Sequence, residues 1–75
     1  MISLDTWVKV QFGGQDKLEQ RLGLGSKTVN RWYNNDPRKF LQYISVLHLI
    51  TDTPVTEIVE MVEQRSKDVM AIKGK

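Results

Sequence analysis

Hydrophobic residues recur at helical spacing near the start of the chain and predict two short helices. The apolar face of the first helix consists of Leu4, Trp7, Val8 and Phe12. Ser3 is placed as its N-cap, and Gly13 and Gly14 end it. A second helix is predicted over residues 15–22, because Leu18 and Leu22 are four residues apart. Gly23 then suits a helix end in the left-handed conformation.

Three further helices complete a predicted all-α fold of five helices, with no strand alternation. The third begins at a cap on Gly25 or Ser26 and ends near Asn34, before a loop at residues 34–37. The fourth follows Pro37, and its wide apolar face predicts a central, largely buried helix: Phe40, Leu41, Ile44, Val46, Leu47, Leu49 and Ile50. The fifth opens with Thr53 as cap and Pro54 in its first turn. Its apolar stripe consists of Val55, Ile58, Val59 and Val62.

The second and third helices have the outline of a helix-turn-helix, since a three-residue turn containing glycine joins them. In that motif the second helix offers its outer face to the major groove of DNA. The residues expected to lock the two helices together are Leu18, Leu22, Leu24, Val29 and Trp32. At 100° per residue, Val29, Trp32 and Tyr33 share the inner side of the third helix. The outer side carries residues that donate to base edges and phosphates: Ser26, Lys27, Asn30, Arg31 and Asn34.

The pattern GGQxxLxxxLGxxxxxVxxW, which starts at Gly13, resembles the Cro and lambda-repressor-like helix-turn-helix superfamily. It is similar to small phage Cro proteins and to the YdaS-like antitoxin/Cro group. The resemblance covers roughly residues 4 to 62. It implies a five-helix domain that binds operator DNA, commonly as a dimer, and represses transcription.

The resemblance also implies roles for individual residues near the third helix. Base-reading positions are occupied by Ser26, Lys27 and Asn30. Gln15 begins the second helix, where members of the family contact a phosphate. Contacts to the DNA backbone after the recognition helix fall on Asn34, Asn35, Arg38 and Lys39. Arg31, on the outer side of the helix, is expected to contact a phosphate as well.

Glu19 departs from the family pattern, which places alanine or another small residue after Leu18 because the two helices approach closely there. Two alternatives stay open. Either the helices lie slightly apart, or Glu19 bends outward and pairs with a neighbouring arginine such as Arg31. The second alternative removes Arg31 from DNA contact.

Composition and charge agree with one small domain that has a basic side. The 75 residues include no cysteine, so neither a disulfide nor a thiolate zinc site is available. Residues 1–40 carry seven basic and four acidic side chains, residues 41–64 four acidic and none basic, and residues 65–75 four basic and one acidic. This distribution suggests one face for a polyanion and an acidic segment turned away from it. We divide the chain into a DNA-binding domain, 1–64, and a basic C-terminal tail or helix extension, 65–75.

Other classes of function find little support. Trp7, Trp32 and Phe40 lie on apolar helical faces, which favours core packing over a stacking surface for single strands. His48 lacks partner ligands and is expected at the margin of the core, so no metal is expected. We find no nucleophile–base pattern or phosphate loop, and we expect no enzyme, no cofactor and no small-molecule substrate. No apolar run approaches ~18 residues and the start of the chain does not read as a signal peptide, so we expect a cytoplasmic bacterial or phage protein without membrane contact.

Together these patterns favour a sequence-specific double-stranded DNA-binding regulator, a phage or prophage repressor of Cro type, with its recognition helix at about residues 26–34. Two rivals stay open: an antitoxin-type autoregulator with an additional protein partner, and an adaptor that acts by protein contact without DNA. A homodimer is expected, because one short recognition helix reads only a few base pairs. Its contact is predicted at the C-terminal part, where the apolar residues Met61, Val69, Met70 and Ile72 lie off the core stripe.

Overall fold

The computed structural model describes residues 2–73, of which 82% are helical. No strand occurs among them, and the α-helices are α1 Leu4–Phe12, α2 Gln15–Leu22, α3 Thr28–Asn35, α4 Ile44–Thr51 and α5 Val55–Lys73. A 3-10 helix, Pro37–Tyr43, joins α3 to α4. The predicted all-α class with five helices is confirmed.

Local capping signals determine where α1 and α2 begin and end. The Thr6 N–H donates to Ser3 Oγ over 3.2 Å, which makes Ser3 the N-cap of α1. Gly13 ends α1 with a φ of 94°, and Gly23 ends α2 with a φ of 71°. Both lie in the left-handed region, which glycine enters without steric cost. Both helices therefore begin and end where the sequence predicts.

The hydrophobic core forms around α5, which packs against α1, α3, α4 and the 3-10 helix. Its buried side chains are Leu4, Trp7, Val8, Leu18, Val29, Phe40, Leu47, Ile58, Met61 and Val62. The Trp7 indole Nε1 donates to Thr53 Oγ1 over 3.1 Å and ties α1 to the loop before α5. α5 begins at Val55, so the residue directly before it is Pro54 and not the predicted cap Thr53. The Pro54 carbonyl accepts the first helical bond of α5, from the Ile58 N–H.

The predicted fourth helix is wrong in its first half, because the chain winds more tightly after Pro37. A 3-10 helix has three residues per turn, so Pro37, Phe40 and Tyr43 lie in one row. This row faces α3: Trp32 meets the Phe40 ring edge-on at 5.5 Å between centroids and stacks on Tyr43 at 5.6 Å. An α-helix from Pro37 does not put those three residues in one row.

The expectation of a largely buried fourth helix is also wrong for α4. Of its side chains only Leu47 is fully buried, whereas Val46, Leu49 and Ile50 are exposed, Leu49 to 78%. We call these three residues the α4 apolar surface. This surface is exposed to solvent because α4 packs mainly against α5 and the 3-10 helix, which lie on the opposite side of α4.

α5 continues without a break across the domain boundary predicted after residue 64 and reaches Lys73. Two of the residues assigned to a dimer contact belong to the folded domain instead, because Met61 and Val69 are each only 3% exposed. Met70 and Ile72 are exposed, to 65% and 68%. The buried face of α5 therefore extends about two turns further than its predicted stripe, from Val62 to Val69.

His48 lies at the margin of the core, as predicted. It is half-buried, and its Nδ1 is 2.7 Å from the Thr53 carbonyl oxygen. Trp7 and Phe40 are core residues and Trp32 packs against the core, which agrees with the expected packing role of these rings. Within residues 2–73, none of the helices combines the length and apolar character that a membrane crossing requires.

Candidate nucleic-acid interface

The sides of α3 differ in exposure as its periodicity predicts. Val29 is fully buried, and Trp32 and Tyr33 are half-buried against the core. The exposed residues of the helix are Asn30, Arg31, Asn34 and Asn35. Polar and basic side chains thus occupy the solvent side over the whole length of α3.

Ser26 and Lys27 lie in the turn before α3, although the sequence predicts a helix from residue 26. Lys27 has a φ of 67°, so it lies outside the right-handed helical region and serves as the N-cap residue. The helix begins at Thr28, and the turn spans residues 23–27. Both side chains are exposed. They therefore project from the turn in front of α3 and not from its first turn.

Glu19 does not bend outward to Arg31, which was the second arrangement considered from the sequence. Its carboxylate is buried, at 7% exposure, and Oε2 accepts the Val29 N–H over 2.9 Å. This bond satisfies one of the free N–H groups at the start of α3, and Lys27 supplies no side-chain cap. A carboxylate also suits the positive end of the helix dipole. Glu19 of α2 therefore caps α3, and Arg31 is not its partner.

Three side-chain amides form a chain of hydrogen bonds along the exposed side of α3. Asn34 Nδ2 donates to the Asn30 carbonyl oxygen over 3.0 Å and to Asn30 Oδ1 over 3.2 Å. Asn30 Nδ2 in turn donates to Gln15 Oε1 over 3.2 Å. The first residue of α2 is thereby connected to two successive turns of α3. The structure brings these three predicted site residues together.

Ser26, Lys27 and Asn30 line the same shallow depression as Gln15 at the junction of α2 and α3. The other two residues that line it are Asp16 and Glu19. The three predicted base-reading residues thus lie next to one another although the turn and not the helix carries two of them. The depression is lined by polar and charged residues only.

Arg65 of α5 is a site residue that the sequence did not reveal. Its Nε donates to the Tyr33 carbonyl oxygen over 2.9 Å, and Nη2 lies 3.4 Å from Asn34 Oδ1. Its guanidinium carbon is also 3.9 Å from the centroid of the Tyr33 ring. Helical spacing could have revealed it, because residue 65 lies three positions after Val62 and four positions before Val69, on the buried side of α5.

The cations that are predicted to contact DNA fall into two groups. Arg38 Nη2 forms a salt bridge of 3.2 Å with Glu63 Oε2 on α5. Lys27, Arg31 and Lys39 are exposed, and none of them takes part in a salt bridge with any part of the chain that the structure describes. These three cations around α3 can therefore contact DNA without breaking an ion pair.

No family model matches this chain, and no curated protein or solved structure matches it either. Support for a function of the exposed side of α3 therefore comes from its hydrogen bonds and charges.

Proposed function

We propose that this protein is a sequence-specific double-stranded DNA-binding regulator in which the exposed side of α3 reads base pairs in the major groove. The observation that carries the proposal is the state of the Asn30 amide. One N–H of Nδ2 is donated to Gln15, and Oδ1 accepts from Asn34. A primary amide has two N–H groups and two lone pairs on its oxygen. Asn30 therefore keeps one donor and one acceptor for a partner outside the chain.

Adenine fits the open donor and acceptor of Asn30. In the major groove adenine displays the N7 acceptor beside the N6 amino donor, and an asparagine amide bonds both. Guanine displays two acceptors at the same place, and thymine displays one acceptor and a methyl group. We therefore assign Asn30 to an A·T pair, and Ser26 and Lys27 to neighbouring base edges.

Several groups around Asn30 suit the phosphates on either side of the groove. The exposed cations Arg31 and Lys39 provide positive charge. The start of α2 has no side-chain cap, so the N–H groups of its first turn, beginning with Gln15, suit a phosphate. Arg38 keeps N–H donors for a phosphate besides the one that Glu63 accepts, although this carboxylate offsets its charge.

Repression is the regulatory outcome that we assign to this binding, on the basis of the resemblance to Cro-type repressors. A small protein that occupies an operator blocks access of other proteins to the same DNA. An antitoxin-type autoregulator uses the same base readout and adds a protein partner. The DNA contacts proposed for α3 are common to both.

We also propose that the protein forms a homodimer through the α4 apolar surface, Val46, Leu49 and Ile50. A second copy is the partner that we assign, because α4 (ISVLHLIT) contains no acidic residue and no lysine or arginine. Two copies related by a two-fold axis can therefore bring this surface together without opposing like charges. Pairing also doubles the number of base pairs read, as half-sites across a palindrome.

Sedimentation without DNA tests the dimer. We expect the wild-type protein to sediment as a dimer at micromolar concentration and Leu49→Glu as a monomer, because a carboxylate is costly to bury. Ile72→Glu, a matched charge change at the far end of α5, should stay dimeric. Dissociation by Ile72→Glu alone would place the contact at the C-terminal end of α5, and a monomeric wild type would contradict the solution dimer.

Duplex binding at several salt concentrations tests the proposed function. The logarithm of the binding constant should fall linearly with the logarithm of salt concentration, because phosphate contacts release counterions. Lys39→Gln should weaken binding to all duplexes alike and flatten the slope by about one unit. Lys9→Gln is the matched control, since Lys9 lies on α1 and pairs with Asp5, and it should leave the slope unchanged. A folded protein that binds no duplex would contradict DNA recognition and favour an adaptor.

A further inference from the structure

We propose that Arg65 of α5 is a positioning residue that sets the base preference of α3 through Asn34. The side-chain amides of Asn34, Asn30 and Gln15 form a chain of hydrogen bonds, which we call the amide chain. Arg65 acts by fixing which end of each amide donates along this chain, and thus the orientation of the Asn30 amide. This inference rests on the proposed function, because Asn30 is assigned there to base readout. Arg65 itself contacts α3 and not a base.

Arg65 holds the C-terminal end of α3 by three contacts of one side chain. The last carbonyls of a helix have no intrahelical partner, and the Tyr33 carbonyl obtains one from Arg65 Nε at 2.9 Å. The guanidinium carbon lies 3.9 Å from the Tyr33 ring centroid, a cation–π distance. The positive charge also suits the negative end of the helix dipole. Arg65 is half-buried, so its guanidinium is held in place beside Asn34.

The donor-only chemistry of arginine decides which end of the Asn34 amide faces it. A guanidinium has five N–H donors and no acceptor. Only Asn34 Oδ1 can therefore accept from Arg65 Nη2, at 3.4 Å. The Asn34 Nδ2 amino group must then point the other way, towards Asn30.

The donor and acceptor ends of the Asn30 amide are determined in the same way. Asn30 Oδ1 faces the Asn34 amino group, so the Asn30 amino group faces Gln15 Oε1. An asparagine amide otherwise turns between two similar orientations, since the torsion at its end is broad and roughly two-fold. Arg65 and the Asn30 carbonyl oxygen, which accepts from the same Asn34 Nδ2 over 3.0 Å, therefore together fix the order in which Asn30 presents its donor and acceptor. A turned Asn30 presents the reverse order and does not match adenine.

Arg65→Gln tests this inference, with binding measured on the preferred duplex and on duplexes altered at one base pair at a time. A glutamine can face Asn34 with either end of its amide, so it does not impose the direction. We expect discrimination at the pair read by Asn30 to fall about fivefold or more, and discrimination at other pairs and the salt slope to stay unchanged. In a double-mutant cycle, Arg65→Gln and Asn34→Ala should not add, because both break the same connection.

Lys67→Gln is the matched control, because Lys67 also lies on α5 and loses the same charge, but its side chain is exposed and is not part of the amide chain. It should leave base discrimination unchanged. Two results for Arg65→Gln would overturn the inference. A flatter salt slope with unchanged discrimination would show a phosphate contact, and a lower melting temperature with unchanged discrimination would show a purely structural role.

A measurement without DNA separates this inference from the proposed function. In NMR spectra of the free protein, the side-chain amide signals of Asn30 and Asn34 should shift in Arg65→Gln and keep their positions in Lys67→Gln. Unshifted Asn30 signals in Arg65→Gln would overturn the positioning role even for a protein that binds no DNA. A wild type without duplex binding but with the expected shifts would overturn only the proposed function, together with the base preference derived from it.

Discussion

Replacing Glu19 by alanine should lower the free energy of unfolding by about 1.5–3 kcal/mol, the range for a lost hydrogen bond to a charged group. The change removes the Glu19 Oε2 acceptor of the Val29 N–H. Val29 is fully buried, so its N–H finds no water in exchange. The start of α3 also loses the negative charge that suits its dipole. Chemical denaturation of the wild type and the variant measures the difference.

Glu19→Gln is the control for this prediction, because glutamine has nearly the same shape and keeps an oxygen that accepts the Val29 N–H. It should lose clearly less stability than Glu19→Ala. In hydrogen exchange, the Val29 amide should be protected in the wild type and in Glu19→Gln and less protected in Glu19→Ala. Equal stability of all three proteins would show that the carboxylate does not hold α3.

Replacing Asn30 by alanine should weaken binding to the preferred duplex by about 1–3 kcal/mol and relax the preference at a single A·T pair. The open donor and acceptor of the Asn30 amide are both lost. The fold should be affected little, because Asn30 is exposed and its bonds to Gln15 and Asn34 are surface bonds. Affinities of both proteins for duplexes that differ at one pair measure the effect.

The DNA provides the control for Asn30. Changing the A·T pair should weaken wild-type binding by about the same 1–3 kcal/mol and should not weaken Asn30→Ala any further, because the interaction is already absent. A uniform loss on all duplexes would assign Asn30 to a phosphate. Unchanged discrimination would move the base readout to Ser26 and Lys27, in the turn before α3.

The sequence predicted best those features that depend on a few neighbouring residues. Ser3, Gly13 and Gly23 act within one turn of a helix, so the bounds of α1 and α2 follow from them. The inner and outer sides of α3 follow from its periodicity, because Val29 and Trp32 must face the core.

Features that depend on the distance between helices were not predicted. The cap supplied by Glu19 requires α2 and α3 to place residues ten positions apart in contact. Arg65 reaches Tyr33 across 32 residues. Local periodicity did not separate the 3-10 helix from an α-helix either, because apolar residues that are three apart suit both. The exposure of the α4 apolar surface depends on which helices pack against α4. The apolar sequence of α4 alone does not reveal this.

Selection from random duplex DNA, carried out in parallel with the wild type and Asn30→Ala, tests DNA recognition by α3 most directly. DNA recognition by α3 predicts that the wild type enriches a defined motif with at least one fixed A·T pair, and that Asn30→Ala enriches the same motif with that pair relaxed. A folded wild-type protein that enriches no motif, or an Asn30→Ala variant that enriches the motif unchanged, would contradict it.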